Sequence, residues 1–260
     1  MGLKILDITS LWATFSKTFY IEPLMFILNI FFIIVAAKYS SRELKFRILI
    51  YYGIVALFQD VVCTAIILTD YTSFDLGKFG TRLIEANNII FIQLEFIAFY
   101  RFFYLQFDGK PIQNKIKITC ALFIIVAAPG SVYFIFFASF HSLHNYSGCL
   151  SVTSCLLQII PAFYYFYTLF RDPPVKNLLR DASFWIVTGI AFFNGLNIPL
   201  FLIETYIMDQ FTPIYLNLYT INYIAYSFLF VLFIIGLLCD DSMKIRTPKK
   251  NVAMDLHKTF

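Results

Sequence analysis

Glu85-Ala-Asn-Asn-Ile-Ile-Phe-Ile-Gln-Leu-Glu-Phe-Ile-Ala-Phe-Tyr-Arg101 is apolar enough to cross a bilayer, yet it carries Glu95 near its middle. A helix rises about 1.5 Å per residue, so roughly 20 such residues cover about 30 Å of hydrocarbon. Glu85, Asn88, Ile92, Glu95, Phe99, Phe102 and Gln106 recur at intervals of three and four, which puts them on one helix face. The polar members can then turn away from lipid together, and this stretch predicts a bundle with a partly polar interior.

The rest of the chain fits that setting. Hydrophobic residues make up 60% of the 260 and charged residues 14%, well below the roughly 25% charge of an average soluble domain. The mean hydropathy is +0.75. Phe contributes 32 residues and Tyr 17, side chains suited to lipid contact and to anchoring at headgroup level. The expected class is an all-α, polytopic integral membrane bundle.

Seven apolar stretches are expected as spans: Tyr20–Lys38, Arg47–Thr69, Leu83–Leu105, Ile116–Ser139, Cys149–Phe170, Ser183–Ile207 and Tyr215–Leu238. They are continuous apolar runs without the period-two alternation of a membrane β-barrel. Residues 1–19 are read as an outer or interfacial segment without a cleaved signal peptide, 20–238 as the transmembrane domain and 239–260 as a basic tail. Sixteen of the twenty Lys and Arg fall in the first, third and fifth connections and in the tail. By the positive-inside rule the N-terminus is then outside and the C-terminus cytoplasmic, with the lipid bilayer as the first partner of that basic rim. Scattered over short loops, these charges form no nucleic-acid footprint.

Polar residues within the spans are the candidate site. Asp60 and Glu95 sit near mid-membrane, joined by Asn88, Gln158, Asn194, Asn197 and Asn222, while Glu22, Asp70, Glu85 and Glu204 lie toward the outer side as a cavity mouth or as solvated helix ends. No Lys or Arg occupies the centre of any span. Asp60 and Glu95 therefore either stay protonated and make structural hydrogen bonds, or share a proton, a cation or a ligand amine. Pro199 withdraws a donor from the carbonyl of Gly195, and a kink beside Asn194 and Asn197 can either shape a small polar pocket or pack against a neighbour.

On the cytoplasmic side, Arg101 either snorkels to water or couples to a partner, and Arg171, Lys176 and Arg180 bracket a Pro-Pro turn that is either a docking surface or a positive anchor. Enzyme signatures are lacking: no G-x-S-x-G, P-loop, H-E-x-x-H or dinucleotide glycine pattern occurs, so neither catalysis nor a cofactor is expected. His141 and His144, placed in an outer loop, offer too few donors for a metal site. Five cysteines show no metal-like pairing, and Cys149 or Cys155 either pairs with Cys63 or packs as a small apolar side chain. The span Tyr215–Leu238 holds no Lys for a retinal Schiff base.

Asn88-Ile-Ile-Phe-Ile-Gln-Leu-Glu-Phe-Ile-Ala-Phe-Tyr100, Asp181-Ala-Ser-Phe-Trp-Ile-Val-Thr-Gly-Ile-Ala-Phe-Phe-Asn194 and Asn217-Leu-Tyr-Thr-Ile-Asn-Tyr-Ile-Ala-Tyr226 resemble the seven-helix membrane sensor domains of bacterial signalling systems. The resemblance implies a multi-pass inner-membrane sensor that relays a small-ligand, lipid or protonation signal. With no kinase in the chain, the output passes to a separate signalling protein such as a histidine kinase. The competing expectation is a proton- or cation-coupled transporter of small solutes built on Asp60 and Glu95.

Overall fold

The computed structural model describes the backbone of residues 24–38, 43–72, 77–171, 178–207 and 212–244; within those helices the side chains of 67–72, 77–78, 204–207, 212–219 and 240–244 are outside the description. Seven α-helices occur among the described residues, and no strand. They are α1 (Leu24–Lys38), α2 (Leu44–Thr72), α3 (Gly77–Gln106), α4 (Ile112–Phe137), α5 (Phe140–Arg171), α6 (Ala182–Ile207) and α7 (Thr212–Lys244), with a 3-10 turn at Leu178–Arg180 before α6. Helices α2 to α7 each contain a stretch long and apolar enough to cross a membrane, and α1 is a shorter apolar helix over its described residues. The expected interfacial segment 1–19 and the start of the first expected span lie outside the described residues.

Helix directions follow from which side chains meet. Along α2, Lys45, Tyr52 and Gln59 meet Gln106, Glu95 and Asn88 of α3 in reverse order, so the pair is antiparallel. Arg82 and Gln93 of α3 likewise meet Ile135 and Ser131 of α4. Glu85, Tyr100 and Phe107 meet His144, Leu157 and Tyr164 of α5 in rising order, a parallel pair. Helix α7 runs against α6 and along α1, where Ser227 meets Met25 and Phe230 meets Phe32. The odd-numbered helices therefore share one direction, with α3 touching α2, α4 and α5 and, through Phe99 and Phe233, α7.

Aromatic packing fills the centre. Phe32, Tyr52, Phe99, Phe230 and Phe233 are essentially fully buried, and ring centroids 4.8–6.2 Å apart link Tyr52 to Phe99, Phe230 and Phe233. On the far side of α3, Phe96 stacks between Tyr100 and Phe123 at 4.2 and 3.9 Å. Outward faces are apolar too: Ile125, Val126, Phe136 and Phe137 of α4 are 66–75% exposed. An apolar outside around a polar-containing inside suits a lipid surround.

Small residues set the closest approaches. A Cβ built on Gly236 would lie 2.9 Å from the backbone oxygen of Ala182, so α7 meets the start of α6 through that glycine. Gly53 plays the same part between α2 and α1, under Phe32 and Ile33. Beside it, the Asn29 amide, in its hydrogen-bonding orientation, donates to Gly53 O at 3.2 Å and accepts from Leu57 N at 3.0 Å, pinning α1 to the backbone of α2. Gly109 turns the chain from α3 into α4 with φ +72°, a region L side chains rarely adopt.

Three helices differ most in extent from the sequence expectation, and of these α3 begins at Gly77 rather than Leu83. Helix α5 begins at Phe140 rather than Cys149, leaving only Ala138 and Ser139 between it and α4, so His141 and His144 are helical rather than in a loop. Helix α7 continues to Lys244, six residues into the stretch read as tail.

Candidate functional site

Glu95 is 4% exposed at the centre of α3, and two phenols converge on one of its oxygens. Tyr52 Oη of α2 donates to Oε2 at 3.2 Å and Tyr226 Oη of α7 at 3.1 Å. The carboxyl group thereby joins three helices. Neither tyrosine was singled out as a site residue from sequence. Tyr52 lies seven residues before Gln59 and Tyr226 four after Asn222, so each shares a face with a polar residue, but with 17 tyrosines in the chain that spacing does not stand out.

A second polar set faces it from α5 and α6. Asn194 Nδ2 donates to Gln158 Oε1 at 3.0 Å, and Gln158 Nε2 donates to Ser154 Oγ at 3.1 Å. Phe193, next to Asn194, meets the Tyr226 ring with centroids 4.4 Å apart, which brings the two sets into the same part of the bundle. Asn197 is fully buried, and neither its Oδ1 nor its Nδ2 has a hydrogen-bond partner; Asn194 Oδ1 and Asn222 Oδ1 are likewise buried without one.

The remaining candidates are distributed. Asn88 accepts from Gln59 Nε2 at 3.0 Å, two turns before Glu95 on α3. Asp60 is half-buried on α2, within charge range of Tyr52 rather than hydrogen-bonded to Glu95. Glu85 accepts a 2.7 Å contact with His144 Nδ1, a pair across α3 and α5 that the loop reading of His144 concealed. Arg101 is exposed with its guanidinium 5.2 Å from the Tyr104 ring, and Arg171 and Arg180 are exposed at the ends of α5 and the 3-10 turn. Glu22 and Lys176 lie outside the described residues, as do the side chains of Asp70 and Glu204.

Pro199 and Gly195 are exposed, whereas Asn194 and Asn197 are fully buried. Positions 197 and 199 are about 200° apart on a helix, so Pro199 and the Gly195 carbonyl it frees lie on the exposed face of α6 and the amides on the buried one. A different proline shows how a freed carbonyl is satisfied. Pro161 leaves Leu157 O without its helical donor, and Tyr100 Oη reaches across from α3 to donate to it at 2.8 Å. Tyr100→Phe is expected to lower stability by about 1–2 kcal/mol. In a Pro161→Ala background, where residue 161 regains its N–H, the loss should shrink. Thermal unfolding of the four proteins in detergent reads this double-mutant cycle, and equal losses in both backgrounds would show that the Tyr100 hydroxyl does not act by replacing the donor that Pro161 lacks.

At the end of the bundle where α2 and α6 begin and α3 ends, Lys45 Nζ donates to Gln106 Oε1 at 3.3 Å and Ser183 Oγ at 3.2 Å, and Ser183 Oγ donates to Gln106 Oε1 at 2.8 Å. Asp181 caps α6 through Ser183 N and accepts from Tyr165 Oη. This node ties α2, α3, α5 and α6 at the same end of the bundle.

Among the described residues no group of three or more His, Cys, Asp or Glu is placed to hold a metal ion, and none of the five cysteines is in a disulfide. Comparisons with protein families, with curated proteins and with solved structures each found no match.

Proposed function

We propose that this chain is a non-enzymatic, multi-pass membrane sensor of the bacterial inner membrane, with seven spans, its N-terminus outside and its C-terminus cytoplasmic. The observation that carries the reading is the convergence of Tyr52 and Tyr226 on Glu95 Oε2. A proton, cation or polar ligand that competes for that oxygen changes the ties of α2 and α7 to α3 in one step. Helix α2 carries such a change to Lys45, whose contacts with Gln106 and Ser183 hold the other end. Arg101, Arg171 and Arg180 are exposed near that end, available to a separate partner such as a histidine kinase.

Two experiments test this. A kinase-like protein that copurifies from native membranes should change its autophosphorylation rate severalfold with Glu95→Gln and lose regulation when Arg101, Arg171 and Arg180 become alanine. Purified protein in liposomes should carry no solute under imposed proton or sodium gradients. Substrate-dependent flux abolished by Glu95→Gln would replace the sensor with a coupled transporter. A smaller effect is expected from Ser183→Ala, which removes one link of the node. It should lower stability by about 1 kcal/mol in detergent melts while reducing the kinase response to Glu95→Gln; an unreduced response would separate the node from the relay.

A further inference from the structure

The α6–α7 interface holds a set of amide atoms that the protein itself leaves unused. Phe193 meets Tyr226 with ring centroids 4.4 Å apart, and the two helices run in opposite directions. Counting four residues forward on α6 and four back on α7 therefore brings Asn197 to the level of Asn222. Two amides at one level could close on each other, but here Asn197 Oδ1, Asn197 Nδ2 and Asn222 Oδ1 are all buried and unpartnered, and so is Asn194 Oδ1 one turn away. Asn194 and Asn197 are fully buried. In an interior where nearly every buried polar atom is satisfied, such a cluster marks a place for a guest. The open atoms are mostly acceptors: three carbonyl oxygens against one amide nitrogen. Tyr226, which donates to Glu95, is the next turn of α7 after Asn222, so a carboxyl group lies one turn deeper.

Three carbonyl acceptors above a carboxylate are complementary to a group with several N–H donors and a positive charge. We propose that Asn194, Asn197 and Asn222 bind the ammonium group of a small primary amine, with Glu95 as its counter-charge. This assignment rests on the sensor reading and gives that site its ligand class. Asn197 supplies a carbonyl to the ammonium and its Nδ2 to an oxygen elsewhere on the ligand. Gln158 is a positioning residue: by accepting from Asn194 Nδ2 it turns Asn194 Oδ1 toward the site.

The test uses full-length protein in nanodiscs and three probes of similar size: n-propylamine, n-propyltrimethylammonium and propionamide. Saturable binding of propylamine in the millimolar range is expected, read by calorimetry or ligand-observed NMR. The trimethylated cation, which has charge but no N–H, and the neutral amide should each bind at least tenfold more weakly. Asn197→Leu should abolish propylamine binding while the melting temperature holds or rises, because an unpartnered buried amide is removed. Glu95→Gln should weaken binding about tenfold. Absence of saturable propylamine binding, propionamide binding as tightly, or Asn197→Leu binding normally would each overturn the assignment. Strong destabilisation by Asn197→Leu would do so too, by showing a structural role, and Asn222→Leu provides an independent variant for the same readouts. The two levels of interpretation separate cleanly. If no amine binds but Glu95→Gln still alters the partner kinase, the ligand class falls and the relay stands; if the amine binds and no partner responds, the reverse holds.

Discussion

Glu95→Leu is expected to destabilise the bundle by about 2–5 kcal/mol, because it strands the hydroxyls of Tyr52 and Tyr226 at once. Tyr52 is 1% exposed and Tyr226 half-buried, and a buried donor without an acceptor costs about 1–3 kcal/mol. Glu95→Gln keeps a side-chain oxygen in place and should lose less than half as much. Combining Glu95→Leu with Tyr52→Phe and Tyr226→Phe makes the cluster wholly apolar, and removing both sides of a hydrogen bond is close to neutral. The triple variant should therefore melt nearer to the parent than Glu95→Leu alone. A triple variant less stable than Glu95→Leu would mean that the hydroxyls are satisfied by something other than Glu95. The same protein tests function, since it retains the packing of α2, α3 and α7 while lacking the polar group through which a signal would act.

Gly236→Leu should do comparable damage by the opposite route. Its Cβ alone would come within 2.9 Å of Ala182 O and 3.2 Å of Trp185 Cβ, and a backbone atom cannot swing aside as a side chain can. Overpacking typically costs about 1–3 kcal/mol, and the backbone clash puts this variant at about 3 kcal/mol or above. Without a strong hydrophobic force between helices in lipid, close approach of this kind is a main source of association. Gly195→Leu is the matched control: nothing lies within 4 Å of a Cβ there, and leucine favours a helix over glycine by somewhat under 1 kcal/mol. Size-exclusion chromatography and detergent melts should show the first variant aggregating or melting early and the second behaving as the parent. Similar behaviour of the two would remove the α6–α7 glycine contact as a stabilising feature.

The helices were legible because lipid-compatible composition is a bulk property that survives without knowing any neighbour. Glu95 facing inward was legible for the same reason: the three-and-four spacing around it is local. The start of α5 was not. His141-Ser-Leu-His-Asn-Tyr-Ser147 is polar enough to read as a loop, yet Leu143, His144 and Ser147 are buried and His144 pairs with Glu85, 59 residues away. Local polarity cannot reveal a partner supplied by another helix. Tyr52 was missed in the same way, since a tyrosine in a span is ordinary until a carboxylate meets its hydroxyl. The separation of Pro199 from the buried amides, by contrast, was open to helix geometry, because residues 197 and 199 cannot share a face.

The tether between Glu95 and Tyr226 spans 131 residues of chain, which gives it a place in time as well as in space. At about 5–20 residues per second, the ribosome makes Tyr226 on the order of ten seconds after Glu95, whereas Tyr52 has already emerged. Newborn α3 must wait through that interval with one of its two phenols, so it is α7, made well after α3, that completes the enclosure of the acid at the centre.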